Sequence, residues 1–213
     1  MKDIAIYGSG GLGREIASLI KKINEIEPTW NLIGFFDDGL EKNFTTNYGV
    51  VLGGLDELNS YKHPLNVVIA IATPSIIEQL VANITNKNVK FPNLIAPTVL
   101  FFNKSTVKIG KGNIINHTCR ISCDIEIGDF NILNGSVSLG HDVKLGNYNV
   151  LQPDVRISGE TIIGDKNFFG VRSTGLQQIT IGSNTRIGAG SIVMRNTKDN
   201  KTYFGVPARI MKE

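Results

Sequence analysis

The chain has 213 residues, 41% hydrophobic and 19% charged with only 7 prolines, a composition that excludes a collagen, a solvated polymer and a Pro/Gly-rich disordered chain. Lysine and arginine number 22 against 19 acidic residues, and this net charge of +3, without a basic block, does not mark nucleic acid or an anionic membrane as the principal partner. Glycine is the anomaly, at 23 residues against a usual ~7%. No apolar run reaches the ~20 residues of a membrane span, and the first residues enter a strand-like pattern instead of a signal peptide's apolar stretch. A cytoplasmic protein is therefore expected. The cysteines, Cys119 and Cys123, are too few for a disulfide framework and lack zinc-site spacing, so two buried thiols are expected.

Asp3 to Tyr7 form a short apolar run that stops at Gly8-Ser9-Gly10-Gly11-Leu12-Gly13, after which Ile16, Leu19, Ile20 and Ile23 recur at helical spacing. A second run, Leu32 to Phe36, ends at Asp37 and Asp38, and a third, Val67 to Ala72, leads into Thr73-Pro74-Ser75. Thr73 is expected to cap a helix with Pro74 at its first position. Ser75 and Glu78 have capping-box spacing, and Ile76, Leu80 and Ile84 with Ile77 and Val81 form one apolar stripe. Strands alternating with helices predict a small parallel α/β domain of Rossmann type over residues 1–92.

The glycine turn fits G-x-G-x-x-G, in which glycines let the backbone approach a phosphate and the helix N-terminus favours its negative charge. Asp37 follows at a distance suited to a ribose hydroxyl. The segment is too short for the two mononucleotide halves that hold a dinucleotide, so a mononucleotide or nucleotide-linked substrate fits better. A tight strand-to-helix turn without a ligand stays open.

From Ile109 an apolar residue recurs every sixth position: Ile109, Ile115, Ile121, Ile127, Leu133 and onward to Val193, with only Gly175 lacking an apolar side chain. Glycine, Asn, Ser or Gln follows most of them. An unbroken period of six over 107–196 is the signature of a parallel β-helix, here about five coils of three strands. The following glycine or small polar residue is expected to supply the φ > 0 conformation of each corner.

The whole chain resembles the NeuD-like sugar acyltransferases. The resemblance rests on the glycine turn, Phe36-Asp37-Asp38, Ile69-Ala70-Ile71-Ala72, the hexapeptide run, Leu139-Gly140-His141-Asp142-Val143-Lys144-Leu145-Gly146 and a terminal Gly205-Val206-Pro207-Ala208-Arg209. It implies a left-handed β-helix acyltransferase domain with C-terminal tail over 93–213, and homotrimers whose active sites lie between subunits. Acetyl-CoA is then the co-substrate, without a metal, and the acceptor a sugar, most simply a UDP- or dTDP-linked 4-amino sugar. O-acetylation of a free sugar such as a sialic acid, or a non-catalytic trimeric binding module, are the alternatives.

Acyl transfer needs a base for the acceptor's proton, and a histidine with an ordinary pKa near ~6.5 is mostly neutral at neutral pH. The resemblance assigns that role to His141, with Asp142 orienting its ring. Neighbours along a strand point to opposite faces, so the pair can meet only if the chain turns at Gly140. It also implies nucleotide-sugar contacts at Gly10, Gly11, Leu12, Asp37, Asp38 and Ala72, an acceptor contact at Asn134, and acetyl-CoA contacts at Val150, Val171 and Ala189. At Val150 some members carry a histidine that this chain lacks. Basic residues in 185–213 (Arg186, Arg195, Lys198, Lys201, Arg209 and Lys212) are candidates for the CoA phosphates. His63 and His117 read as surface histidines, and two histidines on the repeat are too few for a three-histidine zinc site.

Overall fold

The computed structural model describes residues 1–211, which divide into two units at Pro97 and Thr98. The first is built from β1 (Lys2–Tyr7), α1 (Gly11–Ile26), β2 (Trp30–Phe36), β3 (Thr45–Thr46), β4 (Gly49–Gly53), α2 (Leu55–Ser60), β5 (Leu65–Ile69), α3 (Pro74–Asn83) and β6 (Val89–Lys90). Its sheet runs β3-β4-β2-β1-β5-β6, parallel except for the β3-β4 pair. The central strand β1 is covered on both faces, as in parallel sheets generally, with Ile4, Ala5 and Ile6 inaccessible. Ile16, Leu19 and Ile20 of α1 and Ile77 and Leu80 of α3 supply apolar cover, each such side chain contributing about 1.5–3 kcal/mol by burial.

Thr73 and Pro74 open α3 as the sequence predicts, but the Thr73 side chain makes no capping hydrogen bond, and Ser75 lies inside the first turn and not at the cap. Glu57 provides such a contact at α2, where its Oε2 accepts from the Gly54 backbone N–H at 2.9 Å. Ile76 leaves the expected apolar stripe and is 46% exposed, since α3 presents Pro74, Ile77 and Leu80 inward.

The second unit is a parallel β-helix of the left-handed hexapeptide type. Two-residue strands pair with the strand eighteen residues on, as in Ile121↔Leu139↔Ile157, and the five-stranded sheet counts five coils. From Ile115 to Val193 every sixth residue is buried, while Ile109 in the first coil is half-buried. At Gly175 a side chain is dispensable, since Ile157 and Ile181 already reach to 3.4 Å of where its Cβ would stand.

The corners correct the sequence reading. Positive φ falls three residues after the inward side chain, not one, at Thr118, Asp124, Phe130, Ser136, Asp142 and their successors through Asn184, with φ between 51° and 63°. Non-glycine residues carry it there. The glycines that follow the inward position serve close stacking: a Cβ at Gly128 would stand 2.6 Å from the Gly146 carbonyl oxygen one coil on.

A buried polar column that the hexad pattern does not reveal runs down one edge. Asn131, Asn149 and Asn167 each donate backbone N–H and side-chain Nδ2 to the Oδ1 of the asparagine eighteen residues earlier, at 2.8–3.0 Å, beginning from Asn113. Thr185 ends the column by donating its N–H to Asn167 at 2.8 Å. Each coil thereby satisfies the buried amide of its neighbour.

Candidate active site

In the first unit the chain leaves β1 for β2 on one side while β5 lies on the other, which makes the carboxyl ends of β1 and β5 the switch point where open α/β sheets bind ligands. The glycine turn sits there. Its four glycines have different reasons. Gly8 has φ 101°, and a Cβ on it would stand 2.8 Å from the Ala70 carbonyl oxygen; a methyl on Gly13 would overlap the Gly8 carbonyl. Gly10 and Gly11 have nothing within 4 Å of an added Cβ and no left-handed φ. The fold needs glycine at 8 and 13. At 10 and 11 the space is open, and the N-terminus of α1 carries no side-chain cap and no acidic residue in its first turn. An anion suits that position.

Asp37, at the end of β2, is tied to the same turn. Its Oδ2 accepts from the Ser9 N–H at 2.8 Å and the Ser9 hydroxyl at 2.6 Å, and its Oδ1 accepts from the Gly39 N–H at 2.9 Å. Partial burial pushes this carboxyl up, but the hydrogen bonds from Ser9 and Gly39 outweigh it and hold the group below the usual aspartate value. Asp38 accepts from the Tyr7 hydroxyl on Oδ2 and from the Leu55 N–H at 2.9 Å on Oδ1. Burial, then the bond to Asp38, raises Tyr7 well above an ordinary phenol, so it is a neutral donor. Ser9 and Tyr7 were missed in the sequence; the signal was their position beside residues already chosen. Leu12 and Ala72 are half-buried at the same sheet edge.

In the second unit the chain turns at Gly140, as His141 and Asp142 require. Asp142 has φ 58°, and this left-handed step swings its carboxylate back so that Oδ2 lies 2.8 Å from His141 Nδ1. Both side chains are about half exposed, at 55% and 56%. An ionised carboxylate only accepts, so Nδ1 carries the hydrogen and Nε2 presents a lone pair. The next coil fixes the backbone, since Glu160 N–H donates to the His141 carbonyl at 2.8 Å.

The remaining candidates occupy other places on the prism. Asn134 is buried on the edge before that of His141; its backbone oxygen lies 3.1 Å from the buried Cys119 sulfur. Val171 and the exposed Ala189 share that edge, and the Gly190 N–H donates to the Val171 carbonyl. Val150 is fully buried in a strand between Ile132 and Phe168. His117 is half-buried with Nδ1 3.3 Å from the Thr98 hydroxyl, and His63 is exposed with its ring against Tyr61. Cys119 is buried as expected, but Cys123 is only half-buried because it occupies a corner. Arg186 stacks on Phe168, 4.7 Å from the ring centre, and Lys212 lies outside the described residues. Among the described residues no helix is long and apolar enough to cross a membrane, and no group of three or more His, Cys, Asp or Glu is placed to hold a metal.

The PglD N-terminal domain family matches residues 3–84. Among solved structures, PerB from Caulobacter crescentus in complex with CoA and GDP-perosamine is 25% identical with a TM-score of 0.85, covering 100% of this chain and 98% of that one. WeeI from Acinetobacter baumannii AYE is 26% identical with a TM-score of 0.88 over 99% of this chain and 100% of its own. The acetyltransferase domain of PglB from Neisseria gonorrhoeae FA1090, in complex with acetyl coenzyme A, has the same fold at 23% identity and a TM-score of 0.74, covering 99% of each chain. No curated protein matches the sequence.

Proposed function

We infer that this chain is a member of the NeuD- and PglD-like sugar acetyltransferases and moves the acetyl group of acetyl-CoA onto the amine of a nucleotide-linked sugar. The observation that carries the reading is the His141–Asp142 pair, held at 2.8 Å on a corner of the prism with Nε2 turned free. The acceptor nitrogen attacks the thioester carbonyl, and His141 Nε2 takes its proton. The tetrahedral intermediate collapses, the C–S bond breaks, and the imidazolium returns the proton to the departing CoA thiolate. N-acetyl sugar and CoA thiol leave. Asp142 favours the protonated imidazole transiently formed and keeps the ring oriented.

The acceptor's diphosphate fits the open N-terminus of α1, with Gly10, Gly11 and Leu12 offering backbone N–H groups. Asp37 is hydrogen-bonded to Ser9 of the glycine turn, and Asp38 and Ala72 are read as further contacts to the nucleotide sugar. A 4-amino sugar on UDP or dTDP remains the expected acceptor, and the GDP-perosamine held by PerB adds guanosine to the candidate carriers. Within one protomer the candidate base and the candidate acetyl-CoA positions Val171 and Ala189 lie on different edges. That separation supports sites shared between subunits of a homotrimer.

The test is a panel of UDP-, dTDP- and GDP-linked 4-amino sugars with acetyl-CoA, read by release of free CoA thiol. Turnover with one nucleotide-linked amine, and none with the corresponding free sugar, is expected. Turnover only with hydroxyl acceptors would overturn N-acetylation.

A further inference from the structure

Both histidines of the β-helix have a glycine one coil later at the same corner: His117 precedes Gly135 and His141 precedes Gly159, each by eighteen residues. The two glycines differ in what they make room for. A Cβ on Gly135 would meet only the His117 carbonyl oxygen, at 3.7 Å, an ordinary contact. A Cβ on Gly159 would stand 2.6 Å from both Cε1 and Nε2 of His141 and 3.0 Å from Cδ2. The imidazole therefore lies directly over the Gly159 backbone, on the side of the ring that bears the free nitrogen.

Gly159 does not owe its identity to its own conformation, since its φ is not left-handed and any L residue could adopt it. Nor does it belong to the stacking glycines that follow inward positions, because it comes two residues after Ile157. It is, however, approached from below: a Cβ on Gly140 would stand 2.5 Å from the Gly159 N–H nitrogen. Gly140 thus lets the Gly159 backbone come close, and Gly159 in turn leaves space for the ring.

We propose that Gly159 is a positioning residue for acyl transfer: its bare backbone is the platform on which the His141 ring rests, and with Asp142 at Nδ1 it fixes the direction of Nε2. The proposal rests on His141 being the base. Two constraints then define the ring, a hydrogen bond at one nitrogen and a backbone surface beneath the other. A methyl at 159 leaves the coil intact and displaces the imidazole, because the ring is the movable partner of that contact.

The experiment compares Gly159→Ala, Gly135→Ala and His141→Ala in the full-length protein, with the productive nucleotide-linked amino sugar and acetyl-CoA. Gly159→Ala should lower kcat by about 10–10²-fold with KM nearly unchanged, the effect of moving a reacting group by roughly an ångström. In nitrogen-correlated NMR spectra its His141 ring signals should shift. Gly135→Ala should leave both readouts as in the parent protein. In a thermal-melting cycle any cost of Gly159→Ala should vanish in the His141→Ala background, which identifies the ring as the group displaced even if Gly159→Ala folds poorly. A silent His141→Ala beside a Gly159→Ala with parental kcat and unshifted ring signals would overturn the platform while sparing the base. Parental turnover by His141→Ala would instead overturn the base, and the platform's role with it.

Discussion

Asp142 shows how much a single backbone angle decides. At φ 58° it brings a carboxylate to its immediate neighbour, a contact unavailable between successive residues of a strand. The pair could be anticipated from the sequence once a turn was granted at Gly140, because a histidine followed by an acid is a recognisable unit. Gly159 could not, since nothing local distinguishes it; only the count of eighteen from His141 brings the two together. The cysteines separate at the same scale. Burial pushes the Cys119 thiol up to about 12, making it a poor nucleophile, whereas Cys123 is partly accessible. Iodoacetamide at pH 8 should therefore modify Cys123 in the native protein and Cys119 only after denaturation, as peptide mass mapping would show. Because the folded state raises the Cys119 pKa from 9.0, its neutral thiol favours folding below pH 9 and that contribution is lost towards about 12. The urea midpoint should fall over that interval, and fall less in Cys119→Val, whose side chain matches Val137 and Val155 in the same column.

The glycine turn and the corners separate two uses of one residue type at the scale of the element. Gly13→Ala should strain the β1–α1 packing and lower the melting temperature by several degrees, because its methyl would overlap the Gly8 carbonyl. Gly10→Ala and Gly11→Ala should melt near the parent yet weaken binding of a nucleoside diphosphate by about tenfold or more in calorimetry, where the added methyl obstructs the ligand and not the fold. Equal melting losses in all three would refute the distinction. From sequence, the strand–glycine–helix unit was legible because a continuous apolar run stops at the glycines and apolar residues then recur at helical spacing. β4 and β6 were not, being short and weakly patterned; Gly49 and Gly53 bracket the first, and the second is only Val89–Lys90. The hexad spacing likewise located the inward residues but misassigned the glycines. Composition alone does not say whether a small residue is needed for its φ or for its neighbour's approach. The structure separates those causes, and the asparagine column needed an eighteen-residue count and not a six-residue one.

The whole molecule is expected to act as a trimer. Exposed Ile162, Val171, Met194 and Phe204 leave apolar surface on the second unit that association would cover. Sedimentation equilibrium should give three times the 23.2 kDa chain mass, and acetyl transfer should fall on dilution below the trimer's dissociation constant. A monomer with full activity would sink the shared-site reading. The asparagine column carries a last consequence, for how such a chain can change its length. Each member bonds to the one eighteen residues before it, so inserting or deleting eighteen codons restores every partner. A six-codon change keeps the hexad period yet carries everything downstream one edge around the prism, setting a residue such as Ile125, Val143, Thr161 or Ser173 where asparagine must answer asparagine. The gene can therefore gain or lose whole coils and not thirds of them.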